Sequence, residues 1–184
     1  MKKIKTMFKR DMLKKPSLVM DEVNPGCEWV FNGESIATKK YDGSCCKIEG
    51  GKFYKRREVK KDKPMPVGFI LEELDKNTGK SVGWVEVLDL PENKWFLKAL
   101  ENSAHMVSSG TFEAVGQGFQ GDVENVGEPR LIKHSDANIY PNCPRDYNGL
   151  KQWFADKDIE GIVFHHKDGR MAKIKKKDFG LKRQ

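Results

Sequence analysis

The chain has 184 residues, 33% of them charged and 38% hydrophobic, and a formal net charge of +7; its mean hydropathy is −0.69 and its pI about 9.1. No apolar run approaches the roughly 20 residues that a helix needs to cross a bilayer, and the basic start Met1-Lys2-Lys3-Ile4-Lys5 has no apolar signal stretch after it. A membrane protein and a secreted one are therefore not expected. The length fits one domain, 1–184, in the cytoplasm (the host cytoplasm if virus-encoded), with the nucleus as an alternative.

Residues 1–34 read as an irregular basic arm on or near the core, with Pro16, Pro25 and Gly26 as breakers. Ser35 to Lys40 alternates as a strand does. Ser44 to Glu49 and Lys52 to Val59 flank Gly50-Gly51, a hairpin signal because both glycines tolerate positive φ. That register sets Ser44 opposite Arg57 and Cys45 opposite Arg56. Residues 60–80, rich in Lys, Pro and Gly, read as a loop, and Val82 to Val87 as a strand. Pro91 to Asn102 predicts a helix with Trp95, Phe96, Ala99 and Leu100 on one face. Met106 to Val115 predicts a strand, followed by a turn through Gly116, Gly118 and Gly121, then a short strand from Arg130 to His134. Asp146 is placed to cap a helix that turns Leu150, Trp153 and Phe154 inward. The last unit is a hairpin: Gly161 to His166, a turn at Lys167-Asp168-Gly169, and Arg170 to Lys176. Many antiparallel strands with two helices make an α+β fold.

Two stretches are strongly basic, residues 2–15 and 173–183. A solvated face would explain a charge run, but a polyanionic partner suits two that flank the chemistry below. Cys27, Cys45, Cys46 and Cys143 show no metal-binding spacing and read as small apolar side chains in a reducing compartment.

The tetrad Lys40-Tyr41-Asp42-Gly43 is followed in order by Arg56-Arg57, Thr111-Phe112-Glu113-Ala114-Val115-Gly116, Glu160-Gly161-Ile162-Val163 and Lys173-Ile174-Lys175. An amine nucleophile must lose its proton near neutral pH, and cationic neighbours promote that loss. Lys173 and Lys175 supply such neighbours if the last hairpin folds back on the first, and their i, i+2 spacing puts both on one strand face. Lys39 would point the other way. Glu113 and Glu160 lie in apolar strand contexts, where a carboxylate must be paired, hydrogen-bonded, metal-bound or turned to solvent. Asp42-Gly43 is also an ordinary turn dipeptide.

Together these segments resemble the nucleotidyltransferases that form a covalent lysyl–nucleotide intermediate. Asp42-Gly43-Ser44-Cys45-Cys46, Gly83-Trp84-Val85, and Ile159-Glu160-Gly161-Ile162-Val163-Phe164-His165 with Asp168-Gly169 and Lys173 narrow the likeness. They resemble the compact ATP-dependent 5′–3′ RNA ligases of vertebrates and viruses, from about residue 24 to residue 181. The resemblance implies an ATP-grasp-like ligase adenylation domain of antiparallel sheets flanked by a few helices. Only nine residues follow Lys175, so no C-terminal OB domain is expected.

The implied reaction joins RNA 5′-phosphate and 3′-hydroxyl ends in RNA repair, through AMP carried on Lys40. Lys40, Asp42, Lys173 and Lys175 are its implied catalytic residues. Arg56 or Arg57 would contact ribose and phosphate, with strand parity favouring Arg57. Glu113 would hold ribose, and Glu160 with Glu113 would serve Mg²⁺, with Mn²⁺ as a substitute. ATP and Mg²⁺ are the implied cofactors and RNA the partner, with no membrane and no obligate protein partner. No segment matches the adenine-stacking aromatic of many ligases; Phe119 and Tyr140 are the substitutes considered. His134 reads more simply as a hydrogen-bonded structural histidine, and His105, His165 and His166 show no ligand spacing. A minimal DNA nick ligase and an idle RNA-binding domain on a ligase-like scaffold are the alternatives.

Overall fold

The computed structural model describes residues 1–76, 78–106 and 108–183. Along them run strands β1 (Lys5–Thr6), β2 (Phe8–Arg10), β3 (Val19–Val23), β4 (Ser35–Lys40), β5 (Ser44–Glu49), β6 (Lys52–Val59), β7 (Ile70–Asp75), β8 (Lys80–Glu86) and β9 (Gly110–Val115). Strands β10 (Arg130–Lys133), β11 (Gly161–His166) and β12 (Met171–Lys175) follow, with helices α1 (Lys94–Asn102) and α2 (Tyr147–Ala155). The fold is α+β, mostly antiparallel, and no helix among the described residues is long and apolar enough to cross a membrane. The chain divides into two compact units: a central one of Met1–Lys3 with Asp42–Asp136, and a terminal one of Ile4–Tyr41 with Ala137–Gln184.

The terminal unit holds a four-stranded sheet in the order β1-β12-β11-β4 and the β2-β3 ribbon. β1 runs parallel to β12, and the other pairs are antiparallel. Its core joins Met7, Phe8, Val19, Trp29 and Val30 to Leu150, Phe154, Ile162, Phe164, Ala172 and Ile174. The expected arm over 1–34 is thus corrected, since it contributes three strands and five of these core side chains. Fully burying a side chain of this size is worth about 1.5–3 kcal/mol, which anchors a segment that periodicity alone does not reveal. Helix α2 is capped as expected, Asp146 Oδ1 accepting from the Gly149 N–H at 2.8 Å. At its other end the buried Lys176 Nζ donates to the Lys157 carbonyl at 2.8 Å, a cation at a helix C-terminus.

The central unit is a six-stranded antiparallel sheet in the order β10-β9-β5-β6-β8-β7. The Gly50-Gly51 hairpin forms with both glycines at positive φ, 57° and 74°, in the predicted register. One sheet face carries Cys46, Phe53, Phe112, Ala114 and Leu131, and α1 covers them with Ala99 and with Trp95, Phe96, Leu97 and Leu100 at partial burial. The helix expected from Pro91 opens instead as a 3₁₀ turn over Pro91–Asn93 before α1 begins. The loop expected over 60–80 contains β7, though position 77 within it lies outside the described residues. The strand expected from Met106 starts only at Gly110; position 107, inside the expected span, also lies outside them. His134 leaves β10 and opens a 3₁₀ turn.

Candidate active site

In the terminal unit the register aligns three positions across three strands: Lys40 on β4 opposite Gly161 on β11, and Gly161 opposite Lys175 on β12. Side chains of directly opposed residues share a sheet face. Gly161 leaves the middle position open, and a Cβ there would stand 2.3 Å from the Ile174 carbonyl oxygen and 2.9 Å from Lys175 Cα. The preceding residue, Glu160, is buried, and its carboxylate meets both lysines. One Glu160 oxygen accepts from Lys40 Nζ and the other from Lys175 Nζ. Lys40 Nζ also donates to the Tyr41 carbonyl at 3.4 Å.

Lys173 sits one alternation before Lys175 on β12, as the i, i+2 spacing requires. Burial pushes its ammonium down from an ordinary 10.5 to about 8, and the Lys175 and Lys40 charges push the same way. For Glu160, burial favours the neutral acid, but Lys40 and Lys175 outweigh it and hold the carboxyl below its ordinary value. The amine whose proton is loosened most clearly is therefore Lys173, whereas Lys40 is held by a carboxylate. Attack by Lys40 requires that this ion pair open. Lys39 points away, its Nζ lying 4.6 Å from the Tyr41 ring centre.

The other sequence-predicted residues lie in the central unit. Gly43 is needed there for close approach rather than for a positive φ: a Cβ would fall 2.2 Å from the Ala114 carbonyl oxygen. The adjacent Asp42 N–H donates to Glu124 Oε1 at 3.0 Å. Glu113 on β9 stands opposite Cys45 on β5, so both project from the face away from α1. His134 Nε2 lies 3.1 Å from Glu113 Oε2, and its Nδ1 lies 3.0 Å from Thr111 Oγ1. His134 is hydrogen-bonded on both ring nitrogens, but its partner is one of the predicted site acids.

Parity on β6 separates the two arginines. Continuing the β5–β6 register brings Arg56 opposite Cys45 and onto the Glu113 face, and Arg57 onto the other. Arg57 is exposed, while Arg56 Nε is buried and has no hydrogen-bond partner among the described residues. The parity favouring Arg57 assumed an unbroken strand through Lys40, but Tyr41–Gly43 interrupts it between β4 and β5. Of the aromatic substitutes, Phe119 is buried edge-on against Phe96 in the α1 core, and Tyr140 packs edge-on against Trp153. Cys27, Cys46 and Cys143 are buried as expected, with thiols raised by burial, Cys143 to about 12. Cys45 departs from that reading, lying only partly buried beside Glu113 and His134. No sequence spacing signals this trio, because only the β5–β9–β10 register creates it.

The donor sets decide what each place can hold. Three ammonium groups around one carboxylate suit a triphosphate. Glu160 can bind Mg²⁺ directly only by releasing Lys40 or Lys175, and phosphate oxygens are the acceptors those lysines would take instead. The nitrogen and sulfur donors beside Glu113 do not fit Mg²⁺, which selects oxygen ligands. No protein-family model matches this chain, and no curated protein matches it in sequence.

Proposed function

We propose that this protein is an ATP-dependent polynucleotide ligase, acting on RNA, with Lys40 as its nucleophile. The observation that carries the reading is the convergence of Lys40, Glu160 and Lys175 from β4, the β11 entry and β12, with the depressed Lys173 beside them on β12. Freed from Glu160 and deprotonated, the Lys40 amine attacks the α-phosphorus of ATP. The Nζ–P bond forms as the bond to the bridging oxygen breaks, and pyrophosphate leaves. Lys173 and Lys175 offset the charge gathering on it. AMP then passes to an RNA 5′-phosphate, and a 3′-hydroxyl displaces it to close the strand. Glu160, released by the lysines, would hold the Mg²⁺ that accompanies the phosphates and neutralises their charge. The resemblance gives Arg56 or Arg57 the ribose and phosphate contact, and of the two it is Arg56 whose buried Nε has no hydrogen-bond partner among the described residues.

The Lys40–Glu160 ion pair fits an idle RNA-binding scaffold equally well, because it satisfies a buried acid without any chemistry. One experiment separates the readings. With labelled ATP and Mg²⁺ the wild type should form an acid-labile covalent AMP adduct, and Lys40→Ala should form none. Salt-sensitive RNA binding without an adduct would establish the idle scaffold, and an adduct surviving in Lys40→Ala would remove Lys40 as the nucleophile. Sealing of nicked RNA, hybrid and DNA duplexes then assigns the polymer.

A further inference from the structure

We propose that Cys45, Glu113 and His134 form a binding site for a borderline divalent metal, with Zn²⁺ as the representative ion. One ligand atom from each lies within 4.8 Å of the others. A thiolate, an imidazole and a carboxylate are the donors that Zn²⁺ takes, and three protein ligands leave its fourth tetrahedral position open. The sheet supplies the alignment, since Cys45 and Glu113 are directly opposed across the β5–β9 pair and His134 follows the last residue of the neighbouring β10.

A second observation points the same way. Thr111, two residues before Glu113 and on its face, is hydrogen-bonded to His134 Nδ1 at 3.0 Å. A metal-bound histidine usually uses its second ring nitrogen in this manner, which fixes the ring and leaves the first as the ligand. The other ring nitrogen, Nε2, lies 3.1 Å from Glu113 Oε2. Zn²⁺ binding would release the Cys45 thiol proton, and any proton on Nε2, to solvent. Thiolate and carboxylate together match the 2+ charge, with the imidazole neutral. Mg²⁺ does not compete, because it disfavours sulfur and nitrogen donors. Occupancy would also engage Glu113; the consequence, inhibition by Zn²⁺, rests on the proposed ribose contact of that residue, whereas binding does not.

The test is titration of the full chain with ZnCl₂ by calorimetry in excess Mg²⁺, and with Co²⁺ as a coloured probe. One equivalent should bind, and Co²⁺ should show a thiolate charge-transfer band in the near ultraviolet. Cys45→Ser should lose the band. His134→Gln should weaken binding more than tenfold, and Thr111→Val by about tenfold, as for other outer ligands. Exposed His105→Gln should change nothing. Circular dichroism melting checks that each variant folds, and if Cys45→Ser does not, the wild-type band and His134→Gln decide. Absence of the band in the wild type, or unchanged Zn²⁺ affinity in His134→Gln, overturns the site. Binding without loss of AMP-adduct formation upholds the site and removes Glu113 from the ribose. A wild type that binds Zn²⁺ but forms no adduct with ATP upholds the site while the ligase reading falls.

Discussion

Glu160 and Glu113 have near-equivalent sequence surroundings, each an acid among apolar residues at a strand and each followed within three positions by glycine. Both are buried, yet their neighbours differ in kind. Glu160 is clasped by two ammonium groups, whereas Glu113 meets an imidazole and a thiol. The cost of burying a carboxylate is thus offset by full charges in the terminal unit and by soft, titratable donors in the central one. The first arrangement suits an anionic substrate whose phosphates can take over the lysines. The second suits a proton or a metal ion. Residue type alone does not carry a role; the partners chosen by strand register do.

The sharpest way to break this contrast is Glu160→Gln, which leaves the half-buried lysines without their counter-charge. Removing one partner of such a cluster should cost about 3 kcal/mol, read as a lower urea midpoint. The contrast fails if Glu160→Gln is no worse than the equivalent change at Glu113. Next comes the pH dependence of Lys173. Between about pH 8 and its unfolded value of 10.5, the unfolded chain still binds the proton that the folded chain has released, so stability rises with pH. Below pH 8 the folded state carries the whole cost of the buried charge. Lys173→Met should therefore stabilise at pH 7 by on the order of 1–2 kcal/mol after solvent screening. That advantage should fade as the pH rises through the same window, and denaturation at several pH values checks it. Smallest is Glu113→Gln, which keeps a hydrogen-bond acceptor for His134 and should cost about 1 kcal/mol in thermal unfolding.

What the sequence announces best is local. Gly50-Gly51, the Asp146 cap and the Lys173–Lys175 face each depend on a few adjacent residues, and all three form. What it hides depends on distant pairing. Met7, Phe8 and Val19 are separated by lysines, an arginine and a proline, so the first strands show no alternation until β12 and α2 bury them. In β7 the lysines and prolines of the flanking turns mask the apolar residues. The parity argument for Arg57 assumed that β4 and β5 were one strand, and a three-residue break removes that premise. Glu113 was legible as an acid in an apolar strand, but Cys45 and His134 were not legible as its companions, since they join it only across β5–β9–β10.

The division of the chain has a consequence for how the protein is made. The central unit occupies one uninterrupted stretch, Asp42–Asp136, apart from three residues at the start. The terminal unit is assembled from Ile4–Tyr41 and Ala137–Gln184, so β4 must wait for β11 and β12. During synthesis domains tend to fold as they emerge, so the central sheet can close on the ribosome before β11 and β12 are made. The Lys40–Glu160–Lys175 cluster comes into being only once Lys175 has been translated. A nascent chain therefore carries Lys40 long before it carries Glu160 and Lys175, and a product truncated before β11 cannot assemble this cluster.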